Sequence, residues 1–251
     1  MKKVLLVGGD SFSDQRCRSY AKTDIITWPI LLAERLGMDL VCVAQAGAGN
    51  EQIYSSILDW ICANGTDNIG MVIAGWSKAE RLDYELTHNN QFYYWHNTRV
   101  APRGDIRGWI KKSVRNFYNL QLLCEFHNIP CKQFQMISLF TEYVSEYHKE
   151  DFKDKRIDCI NALIQSDQFD LINKENFIGW PIYNEDKGFV VGDVTVHQGW
   201  KHYNKLTNDI PSSSYYNSAK NMSKDYVVGS QDSHPNKAGH ELIAEVIHEN
   251  L

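Results

Sequence analysis

The sequence predicts an α/β fold, a three-layer α/β/α sandwich around a mainly parallel sheet. Short apolar runs, beginning with residues 4–7, are continuous rather than alternating. Continuous apolarity is typical of strands buried on both faces of a parallel sheet. Segments with helical apolar spacing separate these runs, and this order of strand, helix, strand, helix, strand favours right-handed crossovers with helices on both faces.

The predicted elements follow one another along the chain, with a less regular second half. In chain order they are a strand at Val4–Val7, a helix at Asp24–Leu36 closed by Gly37, a strand at Leu40–Ala44, a helix beginning near Asn50, a strand at Met71–Ala74, a helix at Asp105–His127, a strand at Cys131–Ile137, a charged helical region at 140–175 and a terminal helix at Asn236–Glu249. Residues 79–104 are polar and aromatic with little periodicity, and residues 176–231, rich in Gly, Ser, Asn and Tyr, are predicted to be mostly loop. We interpret residues 1–251 as a single domain with insertions at about 79–104 and 176–231.

The composition suits a globular protein and excludes some partners. The chain has 251 residues, of which 43% are hydrophobic and 23% charged. This supplies enough apolar side chains for a core and excludes disorder over the whole length. The net charge of −5 argues against a surface built to bind nucleic acid, which is usually basic. The sequence leaves the oligomeric state open.

No pattern in the sequence points to membrane insertion, secretion or metal binding. No apolar run approaches the roughly 18 residues of a membrane span, and the N-terminal run breaks at Gly8 and Gly9 without a small-residue cleavage site, so no signal peptide is expected. The six cysteines form no Cys-x-x-Cys pair, and the histidines show no zinc spacing. We expect reduced cysteines, no cofactor or metal, no membrane partner, and a cytoplasmic or virion-associated protein.

Glycines and small polar residues follow directly after the predicted strands. In open parallel sheets ligands bind at the carboxyl ends of the strands, so these segments form the candidate site. They are, in chain order, residues 8–13, residues 47–50, residues 75–78 and, before the terminal helix, residues 232–236. The sequence predicts a site where these four segments meet.

Three residues of these segments have the chemistry of nucleophilic catalysis. Ser11 is a weak nucleophile until a base takes its proton, and His234 is the candidate base. Asp232 would hold the His234 ring in the correct tautomer and stabilise it once protonated. Gly47 would bring a backbone N–H to a developing oxyanion without a side chain in the way. The pattern predicts acyl transfer through a covalent intermediate.

These segments resemble the blocks of the SGNH/GDSL hydrolase family. The family's first block, Gly-Asp-Ser, stands at residues 9–11, and its last block, Asp-x-x-His-Pro, is similar to the run Asp-Ser-His-Pro-Asn at residues 232–236. The resemblance implies a flavodoxin-like architecture and a serine esterase without a cofactor. It also implies that Ser11 is the nucleophile, that Ser11 and Gly47 form the oxyanion hole, and that Asp10 supports them.

The chain departs from the family pattern in two places. The third block reads Gly-Trp-Ser-Lys at residues 75–78, so Ser77 replaces an asparagine that donates to the oxyanion. Losing one such donor typically raises the barrier by about 2.7–4 kcal/mol, unless Ser77 or Asn50 compensates. The Asp-to-His spacing is also one residue short, and strict spacing would put Gln231 in the acid position. Glutamine cannot stabilise an imidazolium, so we favour Asp232, with a Ser-His dyad as the alternative. The altered third block resembles SGNH-like proteins of bacteriophages.

Aromatic residues in the two insertions indicate a substrate class. They are Phe92, Tyr93, Tyr94 and Trp95 in the first insertion and Trp180, Tyr183, Trp200, Tyr203, Tyr215 and Tyr216 in the second. Aromatic rings among polar residues suit stacking on sugars, so the expected substrate is a small-molecule or carbohydrate ester, preferably an O-acetylated carbohydrate. Packing of these rings within the protein is the alternative.

The same residues allow three other interpretations. Ser11 could simply cap the first helix, because serine is a preferred N-cap residue. The fold could persist without catalysis, as a carbohydrate-binding or assembly module. A flavodoxin-like nucleotide-binding domain would instead contact phosphate at residues 47–50.

Overall fold

Nine strands and five helices make up the regular structure of the ranges that the computed structural model describes, which are residues 2–20, 23–88, 91–99, 105–139, 152–183, 188–191, 225–229 and 232–251. In chain order they are β1 (Val4–Gly8), α1 (Trp28–Leu36), β2 (Asp39–Cys42), α2 (Asn50–Asn64), β3 (Ile69–Trp76), β4 (Arg81–His88), β5 (Gln91–Arg99), α3 (Ile106–Phe126), β6 (Cys131–Gln135), α4 (Phe152–Ile164), β7 (Phe177–Ile178), β8 (Val227–Gly229), β9 (Asp232–Pro235) and α5 (Lys237–Glu249). A 3-10 helix, Phe169–Leu171, precedes β7.

The central sheet has five parallel strands in the order β2-β1-β3-β6-β7. This is the strand order of flavodoxin-like folds. The order reverses between β1 and β3, so the carboxyl ends of these two strands border the crevice where such sheets bind ligands. The predicted fold class is confirmed.

Helices cover both faces of the sheet because neighbouring residues of a buried strand point in opposite directions. Leu5 packs on one face with Trp28 of α1 and Ile243 of α5. Leu6 packs on the other face with Phe117 of α3, beside α2 and α4. All five side chains are fully buried. The two apolar layers fix the sheet, and with it the positions of the turns at its carboxyl end.

The first helix begins at Trp28 rather than at the predicted Asp24. Thr27 is extended at the N-cap position, and Pro29 lies in the first turn, where its fixed φ suits a helix start. The side chain of Thr27 makes no capping bond, and His240 Nδ1 accepts the Trp28 N–H instead, at 3.2 Å. Ser11 therefore does not cap this helix, and that alternative is wrong.

The two predicted insertions differ in what the structure describes. Residues 79–104, which show little periodicity in the sequence, contain the antiparallel hairpin β4–β5. Within 176–231, predicted to be mostly loop, residues 177–178 form β7, the fifth strand of the sheet, and residues 227–229 form β8. Most of the second insertion, like residues 140–151 of the predicted charged helical region, lies outside the described residues. Within the described ranges, no helix has the length and apolarity needed to cross a membrane.

Candidate active site

The turn after β1 presents Ser11. Asp10 is fully buried and holds this turn, because its Oδ1 accepts the Phe12 N–H at 3.1 Å and its backbone oxygen accepts the Ser13 N–H at 2.9 Å. Neither the hydroxyl nor the backbone N–H of Ser11 has a hydrogen-bond partner among the described residues. A serine with an uncommitted hydroxyl and an uncommitted amide at a strand end suits a nucleophile that also donates to the oxyanion.

The turn after β2 presents Gly47 beside the Ser11 turn. Gly47 has a φ of 89°, a conformation that glycine adopts without strain. The Gln45 N–H donates to the Gly9 oxygen at 3.1 Å, and the Ala46 N–H donates to Asp14 Oδ2 at 3.1 Å, so two hydrogen bonds join the turns. In the part of the chain described, the Gly47 N–H has no acceptor. The amides of Ser11 and Gly47 are therefore both available as oxyanion donors.

Asp232 and His234 lie on β9, which pairs with β8 in an antiparallel ribbon. Side chains two residues apart on a strand point to the same face, so the short Asp-x-His spacing brings the carboxylate to the ring. Asp232 Oδ1 lies 2.5 Å from His234 Nδ1 and also accepts the His234 N–H at 3.0 Å. Ser19 Oγ donates to Asp232 Oδ2 at 2.9 Å. Gln231, the residue at the strict family spacing, is outside the described ranges.

The surroundings of Asp232 keep its carboxylate ionised. Partial burial raises the pKa of this carboxyl, but the hydrogen bonds from the His234 backbone, the His234 ring and the Ser19 hydroxyl outweigh it, so the pKa is lowered overall. A carboxylate that stays charged near neutral pH is what an imidazolium needs beside it.

The His234 ring packs against the segment that follows Ser11. Its centroid lies 5.2 Å from that of Phe12 and 5.9 Å from that of Tyr20. Its Nε2 lies 3.9 Å from Cys17 Sγ, and no hydrogen bond joins it to Ser11. The fold thus brings the candidate base and the candidate nucleophile to one edge of the sheet without a hydrogen bond between them. Catalytic hydrogen bonds are often long without substrate and tighten when it binds.

Three residues at this site were missed by the sequence analysis. They are Cys17, Ser19 and Tyr20, all on the segment between β1 and α1. No motif marks them, and their role depends on where β9 docks. The one sequence signal was their position after the first strand, where ligand sites of such sheets gather.

Ser77 and Asn50 are both committed to other partners. Ser77 is fully buried, and its hydroxyl donates to Asp10 Oδ2 at 2.9 Å. Asn50 Oδ1 accepts the Ser77 N–H at 2.8 Å, while its Nδ2 donates to the Ser77 oxygen and to Ser113 Oγ. In this arrangement neither side chain has a proton left for an oxyanion. They fix the end of β3 and the Asp10 carboxylate instead.

A carboxylate occupies the N-terminus of α2, where a nucleotide phosphate would bind. Asp83 Oδ1 accepts the Gly49 N–H at 2.9 Å, and Asp83 Oδ2 accepts the Gln52 N–H at 3.1 Å. Burial raises the pKa of the Asp83 carboxyl, although these two N–H groups oppose the shift. A phosphate would have to displace Asp83, so the geometry argues against the nucleotide-binding interpretation. Nor do the described residues contain a group of three or more His, Cys, Asp or Glu side chains that could hold a metal.

Comparison with known proteins gives structural matches alone. No family model and no curated protein matches the chain. A solved structure from Desulfitobacterium hafniense DCB-2, named as a candidate lipolytic protein of the G-D-S-L family, has 12% identity and a TM-score of 0.49 over 99% of both chains. A candidate SGNH hydrolase from Slackia heliotrinireducens has 12% identity and a TM-score of 0.45 over 100% of this chain and 99% of that one. An α/β hydrolase from the metagenome of Lake Arreo, Spain, has 12% identity and a TM-score of 0.42 over 99% and 94%. By its sequence blocks and the placement of Ser11, Asp232 and His234, the chain resembles the SGNH/GDSL hydrolases.

Proposed function

We propose that the protein is a serine esterase of the SGNH type that hydrolyses small acyl esters. The observation that carries this proposal is the Asp232–His234 pair on β9, packed beside a turn that presents Ser11. The uncommitted amides of Ser11 and Gly47 support it, because acyl transfer needs donors aimed at the carbonyl oxygen.

The proposed reaction proceeds through an acyl-enzyme. Ser11 Oγ attacks the ester carbonyl carbon while His234 Nε2 takes the hydroxyl proton, and the carbonyl oxygen becomes an oxyanion held by the amides of Ser11 and Gly47. Collapse of this intermediate breaks the bond to the alcohol, which leaves with the proton from His234. Water then attacks the acyl carbon while His234 takes its proton, and collapse of this second intermediate breaks the bond to Ser11 Oγ, which receives the proton from His234 as the acid departs. Asp232 stabilises the imidazolium in both halves.

We propose an O-acetylated carbohydrate as the substrate class. The support is the aromatic composition of the two insertions, since such rings stack on sugars. Trp180 and Tyr183 do not contribute to this support, because both are buried, and Trp180 packs on Phe169 and Phe177. The proposal on substrate therefore depends on the remaining aromatic residues of 79–104 and 176–231.

Turnover of p-nitrophenyl acetate tests the proposed activity. We expect Ser11→Ala and His234→Ala to lose turnover and Ser56→Ala, a half-buried serine on α2, to keep the wild-type rate. A fluorophosphonate should label the wild type at Ser11, as located by peptide mass spectrometry. Equal rates in wild type and Ser11→Ala would refute the assignment.

The alternative is a catalytically impaired carbohydrate-binding or assembly module. The commitment of the Ser77 hydroxyl to Asp10 favours it, because the family's third oxyanion donor then has no replacement. So does the absence of a hydrogen bond between Ser11 and His234. This alternative predicts no fluorophosphonate labelling and no turnover, together with measurable binding of acetylated glycan by calorimetry.

A further inference from the structure

We propose that Arg81, at the start of the β4–β5 hairpin, positions the oxyanion hole. This proposal rests on the esterase function proposed above. Arg81 Nη1 lies 3.1 Å from Asp10 Oδ2, 2.7 Å from Ser77 Oγ and 2.8 Å from the backbone oxygen of Ala48. One guanidinium nitrogen thus reaches the turns after β1, β2 and β3 together.

The partners of Arg81 adjoin the two uncommitted amides. Asp10 precedes Ser11, and Ala48 follows Gly47, so Arg81 links the two peptide segments whose N–H groups would hold the oxyanion. A donor acts on an oxyanion only when it is preorganised at the right place. A link between the two segments helps to fix the distance between their N–H groups, and Arg81 adds to the bond from the Ala46 N–H to Asp14 Oδ2, which joins the same two turns.

Charge gives Arg81 a second effect on the same site. The Asp10 side chain is fully buried, whereas the Arg81 side chain keeps 19% of its exposure. A buried carboxylate without a partner is costly, and beside the Ser11 peptide it would repel a developing oxyanion. Arg81 neutralises Asp10, so the charge that develops in the reaction does not meet an uncompensated carboxylate.

The hairpin thereby becomes part of the site. Arg81 and Asp83 are two residues apart on β4, so their side chains point to the same face, and Asp83 binds the Gly49 N–H one residue beyond Ala48. Two side chains from the hairpin therefore hold the turn that contains Gly47. Through these two residues, the first insertion supports the turns that carry Ser11 and Gly47.

Steady-state kinetics of Arg81→Met test the proposal. Methionine keeps the apolar stem and removes the charge and the donors. Displacement of catalytic groups by about 1 Å can cost roughly 100-fold, and we expect a loss of about that size in kcat with p-nitrophenyl acetate and little change in KM. Phenylboronic acid mimics the tetrahedral intermediate on Ser11, and its binding to the variant should weaken in proportion to the loss in kcat/KM. Arg107→Met, at an exposed ion pair with Asp158, is the matched control and should leave both unchanged.

A second variant separates positioning from a general structural defect. Adding Asp10→Asn to Arg81→Met removes the uncompensated carboxylate, and we expect it to restore part of kcat. If Arg81→Met does not fold, as judged by urea unfolding, Arg81→Lys replaces it. Lysine keeps the charge, but its shorter side chain cannot reach all three acceptors, which are Asp10 Oδ2, Ser77 Oγ and the Ala48 oxygen. We therefore expect an intermediate loss in kcat.

The possible failures are distinguishable. If Ser11→Ala retains wild-type turnover, the proposed function fails and the role of Arg81 falls with it. If turnover needs Ser11 but a folded Arg81 variant keeps the wild-type kcat and the wild-type affinity for phenylboronic acid, the role of Arg81 alone is overturned.

Discussion

His240 is expected to make the stability of the protein fall in mild acid. The ring is fully buried, and its Nδ1 accepts the Trp28 N–H at the start of α1, so this nitrogen must stay unprotonated in the folded state. Burial, with a smaller contribution from the charge of His234, lowers the pKa of His240 to about 3.

The size of the effect follows from the two protonation states. In the unfolded chain the His240 ring takes up a proton near its ordinary pKa of about 6.5, whereas the folded protein keeps the ring neutral down to about pH 3. Between these values the unfolded state binds more protons, so the free energy of unfolding falls as the pH falls through this window. The slope is at most about 1.4 kcal/mol per pH unit, which gives a loss of about 2 kcal/mol at pH 5 relative to neutral pH.

Urea unfolding at pH 7.5 and pH 5.0 measures this loss. The variant is His240→Asn, because an asparagine oxygen can accept the Trp28 N–H but does not titrate. We expect the wild type to lose about 2 kcal/mol more than His240→Asn between the two pH values. His248→Asn, on the exposed end of α5, should behave like the wild type. Equal losses in the wild type and His240→Asn would refute the reasoning.

Three more predictions concern the candidate site. Asp232→Asn should lower kcat by roughly 10⁴-fold, because the amide favours the wrong tautomer of His234. Asp158→Asn is the control and should keep the wild-type kcat. A kcat of Asp232→Asn near the wild-type value would exclude Asp232 as the triad acid. Cys17→Ala should keep the wild-type kcat, since the reaction does not use the 3.9 Å contact of Cys17 with His234; loss of turnover here, with Ser11→Ala active, would identify Cys17 as the nucleophile. Asp83→Asn should lower the free energy of unfolding by about 1–3 kcal/mol in urea titrations, because one of the two N–H groups at the start of α2 loses its acceptor, and an unchanged value would contradict the capping role.

The alternation of strands and helices along the chain could be predicted from the sequence, because the apolar pattern of a buried strand is a local property. The continuous apolar run at residues 4–7 marks a strand covered on both faces and forms β1, and the strand predicted at 131–137 after Pro130 is β6, which spans Cys131–Gln135. The terminal helix was equally readable from its helical apolar spacing and from Pro235 before it, and in the structure Asn236 caps it by accepting the Gly239 N–H. The strand Phe177–Ile178 could not be predicted, because two residues are too few to show a strand pattern of apolar residues.

The sequence by itself also determined which residues could do the chemistry, since Ser11, Asp232 and His234 stand in blocks whose residue types imply it. Only the tertiary structure decided how they are supported. Arg81 forms a hydrogen bond with Asp10, which is 71 positions away in the sequence, and His240 forms one with Trp28, which is 212 positions away. The Ser77 hydroxyl, expected to face an oxyanion, turns to Asp10 across 67 residues. Such hydrogen bonds depend on how strands and helices are oriented relative to one another, and local composition does not encode that orientation.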